Sequence, residues 1–125
     1  MRGNEIIVKS TAFAKRIVHA YQYLCSEKKE FILSKQLLRC GTSVGANATE
    51  AQYGISRKDF LSKLYIALKE CAETLYWLEL LHSGGYLTDA EYQSLYDDGL
   101  ELKKILSAIT KSVREGMADD RDNHS

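Results

Sequence analysis

The chain has 125 residues, no proline, three cysteines and seventeen Lys/Arg balanced by seventeen Asp/Glu. That length holds one domain around one core, and the lack of proline favours a few long helices over a strand-rich fold with many turns. Apolar runs fall far short of the roughly 20 residues that span a bilayer, and no signal-peptide core or cleavage site opens the chain. A soluble, cytoplasmic protein with no membrane partner is expected.

Cys25, Cys40 and Cys71 lie at wide spacings, with no CxxC and no histidine pair near them. They read as small buried thiols in a reducing compartment, and no metal or other cofactor is expected. Charge is uneven along the chain. Residues 1–58 hold ten Lys/Arg against four Asp/Glu, and residues 59–125 hold seven against thirteen. The halves therefore carry +6 and −6, an electric dipole along the sequence.

Ser10 is a plausible N-cap for a first helix reaching Cys25, with Phe13, Ile17, Ala20 and Leu24 on one face. Ser26 can cap a second helix running to about Tyr53. Leu33, Leu37, Gly41, Val44, Ala48 and Ala51 make its apolar stripe. Gly54 ends it, and Ser56 with Asp59 forms a capping box for a third helix carrying Phe60, Leu64, Ala67, Cys71, Leu75 and Leu78. Ser83-Gly84-Gly85 stops that helix. Thr88 with Glu91 is a second capping box, opening a helix with Tyr92, Leu95, Leu102, Leu106, Ile109 and Val113 that runs to about Arg114. Connections this short force neighbours antiparallel, so the expected fold is an all-α, up-down-up-down four-helix bundle over residues 1–115. Residues 116–125 are expected to form a frayed or disordered polar tail.

Some features exceed what a bundle needs. Gly41 and Gly45, with Ser43, Ala46 and Ala48, shave one surface of helix two, so that a backbone from within the bundle, a second subunit or a ligand can approach closely. Beside it runs a polar stripe of Gln36, Ser43, Asn47 and Glu50, which needs hydrogen-bond partners or water. The third helix is apolar on several sides: Tyr65, Ala72 and Tyr76 line a second face, with Ile66 and Trp77 on a third flank. That excess predicts an oligomer interface at Tyr65, Ala72, Tyr76 and Trp77, the alternative being broad aromatic packing inside one subunit. Lys28, Lys35 and Arg39 project opposite the apolar face of helix two, and Arg57 would follow if that helix held its phase. Lys15, Arg16 and His19 point away from the core of helix one. Lys15, Arg16, Lys28, Lys35, Arg39, Arg57 and Lys58 together are a candidate nucleic-acid-binding set, the alternative being a solvated charged face.

The segment Gln36-Leu-Leu-Arg39-Cys-Gly-Thr-Ser43-Val-Gly-Ala-Asn47-Ala-Thr-Glu50-Ala, with Lys58-Asp-Phe60-Leu, Ile66-Ala67 and Glu73-Thr-Leu-Tyr-Trp77-Leu further on, resembles a known group. It is the bacterial four helix bundle protein family, encoded in intervening sequences of 23S ribosomal RNA genes. It is similar also to the accessory variability determinant of diversity-generating retroelements. The resemblance runs from about Asn4 to Val113. It implies a small bundle assembling into a homopentamer, with no enzymatic activity. It also implies basic surface presented to RNA or DNA, and a reverse transcriptase partner where the gene sits in a retroelement. Cys40-Gly41 departs from the small polar residues expected at that point of the pattern.

The sequence thus points to a non-enzymatic oligomer that binds RNA or DNA, with a protein-interaction scaffold as the alternative. An enzyme has the weakest case, because His19, His82 and His124 have no nucleophile, metal or phosphate-loop context.

Overall fold

Ile6, Ser10, Phe13, Ile17 and Leu24 are all buried, and their spacing puts them on one face of a helix. This is α1 (Arg2–Ser26), the first of four helices in a computed structural model that describes residues 2–123, with side chains over 5–119. It begins well before Ser10. The apolar stripe extends back to Ile6, and Ser10 is no cap: its buried hydroxyl donates to the Ile7 carbonyl at 3.3 Å.

A true connection follows where the sequence predicts a continuous second helix. Lys29 takes the left-handed conformation at φ 54°. Glu30 is buried and turns its carboxylate onto the backbone N–H groups of Ile32, Leu33 and Ser34 at 2.8 to 3.1 Å. Those amides are the orphan donors of a helix start, so Glu30 does the work expected of Ser26, with its charge suited to the positive end of the helix dipole. α2 (Leu33–Ala51) therefore starts seven residues after Ser26. Lys28 lies outside α2, and Arg57 opens α3 (Arg57–Ser83), so neither continues the cationic stripe of α2.

The capping box at Thr88 forms in both directions, the Thr88 amide donating to Glu91 and the Glu91 amide to Thr88 Oγ1, whereas Ser56 caps α3 by the hydroxyl half alone, its Oγ accepting from the Asp59 amide at 3.1 Å. Gly84 and Gly85 return their amides to Leu80 and His82. α4 (Asp89–Asn123) runs past Gly116 into the stretch whose polar composition predicts a disordered tail, the last two positions of which, 124 and 125, lie outside the described residues. A single interior glycine costs only about 1 kcal/mol, no proline follows, and Met117 and Ala118 are half-buried.

Each helix packs on its neighbours in the chain, and α4 closes the bundle on α1 with the thinnest seam. The pairings run in opposite directions: Ser10 meets Gly45 and Ile17 meets Gly41; Arg39 meets Glu73 and Lys63 meets Glu50; Cys71 meets Gly99 and Tyr65 meets Arg114. This is the antiparallel four-helix bundle expected from the sequence. A Cβ on Gly41 would lie 2.9 Å from two carbons of Ile17, and one on Gly45 would lie 3.3 Å from the Ser10 carbonyl oxygen. The shaved surface of α2 is thus filled by α1 of the same chain. Gly99, which the helical pattern does not single out, performs the same task in α4. Its Cβ would meet Leu75 at 2.8 Å, and its carbonyl accepts from the Cys71 thiol at 3.2 Å.

Candidate interaction surfaces

Antiparallel packing of α2 on α3 and of α1 on α4 brings the basic half of the sequence against the acidic half. On the α2–α3 side, Arg39 donates to Glu73 and to Gln36, and reaches Glu70 at 3.4 Å. Glu73 accepts also from the Trp77 indole at 3.0 Å. Its carboxyl is held below the usual glutamate range above all by that indole donor, with burial opposing the shift and Arg39 adding to it. On the α1–α4 side, Arg16 pairs with Asp98 at 2.6 Å and donates to Ser94, while Lys9 pairs with Glu101 and, at 3.5 Å, with Glu5. The sequence dipole is folded back on itself.

This divides the seven candidate nucleic-acid-binding cations. Arg16 and Arg39 lie on opposite seams, each tied to carboxylates of its own chain. Arg57 is exposed at the start of α3, with its guanidinium near Gly116 of α4. Lys15, Lys28, Lys35 and Lys58 are exposed, and among the described residues none has a carboxylate within ion-pairing distance. Lys28 sits 6.0 Å above the Tyr23 ring. The seven do not form one continuous face.

The polar stripe is also divided. Gln36 serves Arg39, Asn47 Nδ2 donates to the Ser43 carbonyl at 2.9 Å, and Glu50 pairs with Lys63 of α3 at 3.4 Å. Of the four interface candidates, Ala72 is exposed and Tyr76 keeps 53% of its surface open. Trp77 is half-buried beside α2, edge-on to Tyr76 at 5.1 Å between ring centroids. Tyr65 is half-buried and turned toward α4, where Arg114 donates to its hydroxyl at 3.2 Å.

The α1–α4 seam holds open grooves, one lined by Arg16, His19, Tyr23, Leu87, Glu91 and Leu95, another by Lys9, Phe13, Asp98 and Glu101. No nucleophile with an adjacent base lies in either. Cys40 and Cys71 are buried thiols, pushed by burial to about 11 and about 12, well into the unreactive range. Among the described residues, no group of His, Cys, Asp and Glu gathers to hold a metal, and no helix is long and apolar enough to cross a membrane.

Sequence reasoning passed over four exposed side chains on the connections flanking α2: Phe31 at 57%, Ile32 at 77%, Tyr53 at 83% and Ile55 at 94%. Periodicity could not mark Phe31, Ile32 and Tyr53, since the expected second helix ran through them, and Ile55 lay in the short turn after Gly54. The signal available was each aromatic's closeness to lysines in a segment with no core role.

Residues 2–108 match the 23S rRNA-intervening sequence protein family. A crystal structure from Bacteroides thetaiotaomicron VPI-5482, described as a protein of unknown function from the S23 ribosomal protein family, is 51% identical. It covers 89% of this chain and 99% of its own, with a TM-score of 0.88. No curated protein matches. Neither description names an enzymatic activity. The match spans all of α1 to α3 and most of α4, which places this chain in the 23S rRNA-intervening sequence protein family.

Proposed function

We propose that the chain acts without catalysis, as a bundle that assembles with copies of itself over the outer surface of α3 where it borders α2. The observation that carries this reading is the Tyr76–Trp77 ring pair beside the Arg39–Glu73 pair, with Ala72 and Ile66 exposed further back along α3. Tyr76 at 53% and Ile66 at 39% exposure are more apolar surface than a helix with a polar back presents. Trp, Tyr and Arg are the residue types in which binding energy concentrates at interfaces. Arg39 is already opposed by Glu70 and Glu73, so a neighbour covering it would not bury an unpaired cation. The family resemblance implies five copies. Light scattering on Tyr76→Glu tests the reading: assembly through this surface predicts a drop in mass with helicity retained.

A second reading, polyanion binding, is supported by four lysines that have no carboxylate partner among the described residues: Lys15, Lys28, Lys35 and Lys58. It predicts binding of RNA or DNA with little sequence preference, weakening steeply with salt. A fluorescence anisotropy titration showing no binding at low salt would remove it, leaving a protein-interaction scaffold.

A further inference from the structure

Both ends of α2 carry the same combination. At its start, Phe31 and Ile32 stand exposed among Lys28, Lys29 and Lys35; at its end, Tyr53 and Ile55 stand exposed beside Lys58. Large apolar side chains open to this degree are costly in water and mark contact sites. Among the described residues, Lys28, Lys29, Lys35 and Lys58 have no carboxylate within ion-pairing distance. Glu30, the acid inside the first cluster, turns its carboxylate onto three backbone amides, leaving Glu27 against three lysines. Glu50, the single carboxylate of α2, is paired with Lys63.

Resting on the polyanion reading above, we infer that the two ends of α2 are base-stacking sites for a single-stranded nucleic acid, with Phe31 and Tyr53 as platforms and Lys28, Lys35 and Lys58 on the phosphates. An aromatic face beside cations suits a flexible polyanion whose bases are unstacked and free to lie on a ring. A duplex keeps its bases stacked and offers such rings nothing. The 19 residues of α2 span about 28 Å at a rise of 1.5 Å per residue, a distance that a strand of several nucleotides can bridge.

The test is fluorescence anisotropy of the full chain with a labelled 20-nucleotide RNA of mixed sequence, alone and as a duplex, over a salt series. Tighter binding of the single strand is expected. Phe31→Ala and Tyr53→Ala should each weaken it about five-fold or more, with little effect on the duplex. Lys28→Gln and Lys35→Gln should each reduce the slope of log affinity against log salt by about 0.7. Equal affinity for strand and duplex, or aromatic variants that bind as wild type, would overturn the stacking sites while sparing general polyanion binding. No binding of either RNA at low salt would remove both. Two other results overturn the inference: a fall in light-scattering mass for Phe31→Ala or Tyr53→Ala, which makes these ends contacts between copies, or binding to phosphatidylglycerol vesicles in place of RNA.

Discussion

The Trp77 indole donates to the Glu73 carboxylate one turn earlier on α3, at 3.0 Å, and Arg39 of α2 donates to the same oxygen. The only tryptophan in the chain thus reports directly on the ion pair that ties α2 to α3. Because Glu73 is held below its ordinary value of 4.5, it stays ionised under mild acid. A depressed carboxyl contributes stability above its unfolded pKa, and that contribution is lost as pH falls through the folded one. Trp77 emission should therefore stay constant on acidification to about pH 4.5 and change below it. Glu73→Gln should abolish that step. A transition above pH 5, or one surviving in Glu73→Gln, would contradict the assignment.

Gly41 is buried against Ile17, and a methyl group there would sit 2.9 Å from two carbons of a β-branched side chain. In an exposed helix, glycine to alanine is stabilising by about 1 kcal/mol. Here overpacking wins, and Gly41→Ala should destabilise by about 1 to 3 kcal/mol in urea unfolding. A raised midpoint would mean that α1 does not press on α2 at this level.

The start of α2 depends on Glu30, whose carboxylate takes three backbone amides. Glu30→Ala should lower stability by about 1 to 2 kcal/mol, while Glu30→Gln, which keeps an acceptor, should lose less. Lys29→Gly should raise stability by up to about 1 kcal/mol, because Lys29 holds φ at 54°. Thermal unfolding monitored by circular dichroism checks both, and an unchanged Glu30→Ala would show that this cap is dispensable.

Cys40 and Cys71 are buried, with thiols pushed to about 11 and about 12, while Cys25 is half-buried. Ellman's reagent at pH 8 should label one thiol in the folded chain and three in guanidinium. Rapid labelling of all three without denaturant would contradict the packing of α2 on α3.

Much of the fold was legible in sequence wherever a local signal had one meaning. Ser56 and Thr88 cap their helices as the sequence predicts, Thr88 with the full reciprocal box to Glu91, and the apolar stripes of all four helices build the core. The break between α1 and α2 was not legible. Its cap is a glutamate, which statistics do not favour, and its turn uses a lysine where glycine would be expected. That error carried into the site, because one unbroken helix placed Lys28 on a stripe with Lys35 and Arg39. Pairing of Arg16 with Asp98 and of Arg39 with Glu70 and Glu73 depends on which helices become neighbours, and no local window contains that information.

Self-assembly through the outer surface of α3 is the claim on which the functional account stands, and solution mass measures it most directly. Multi-angle light scattering should give a mass several times the 14.1 kDa of one chain, five times if the family resemblance holds for copy number. Tyr76→Glu should fall toward 14.1 kDa with an unchanged helical spectrum. A wild type that runs as one chain at tens of micromolar, or a Tyr76→Glu variant that keeps the full mass, would contradict it.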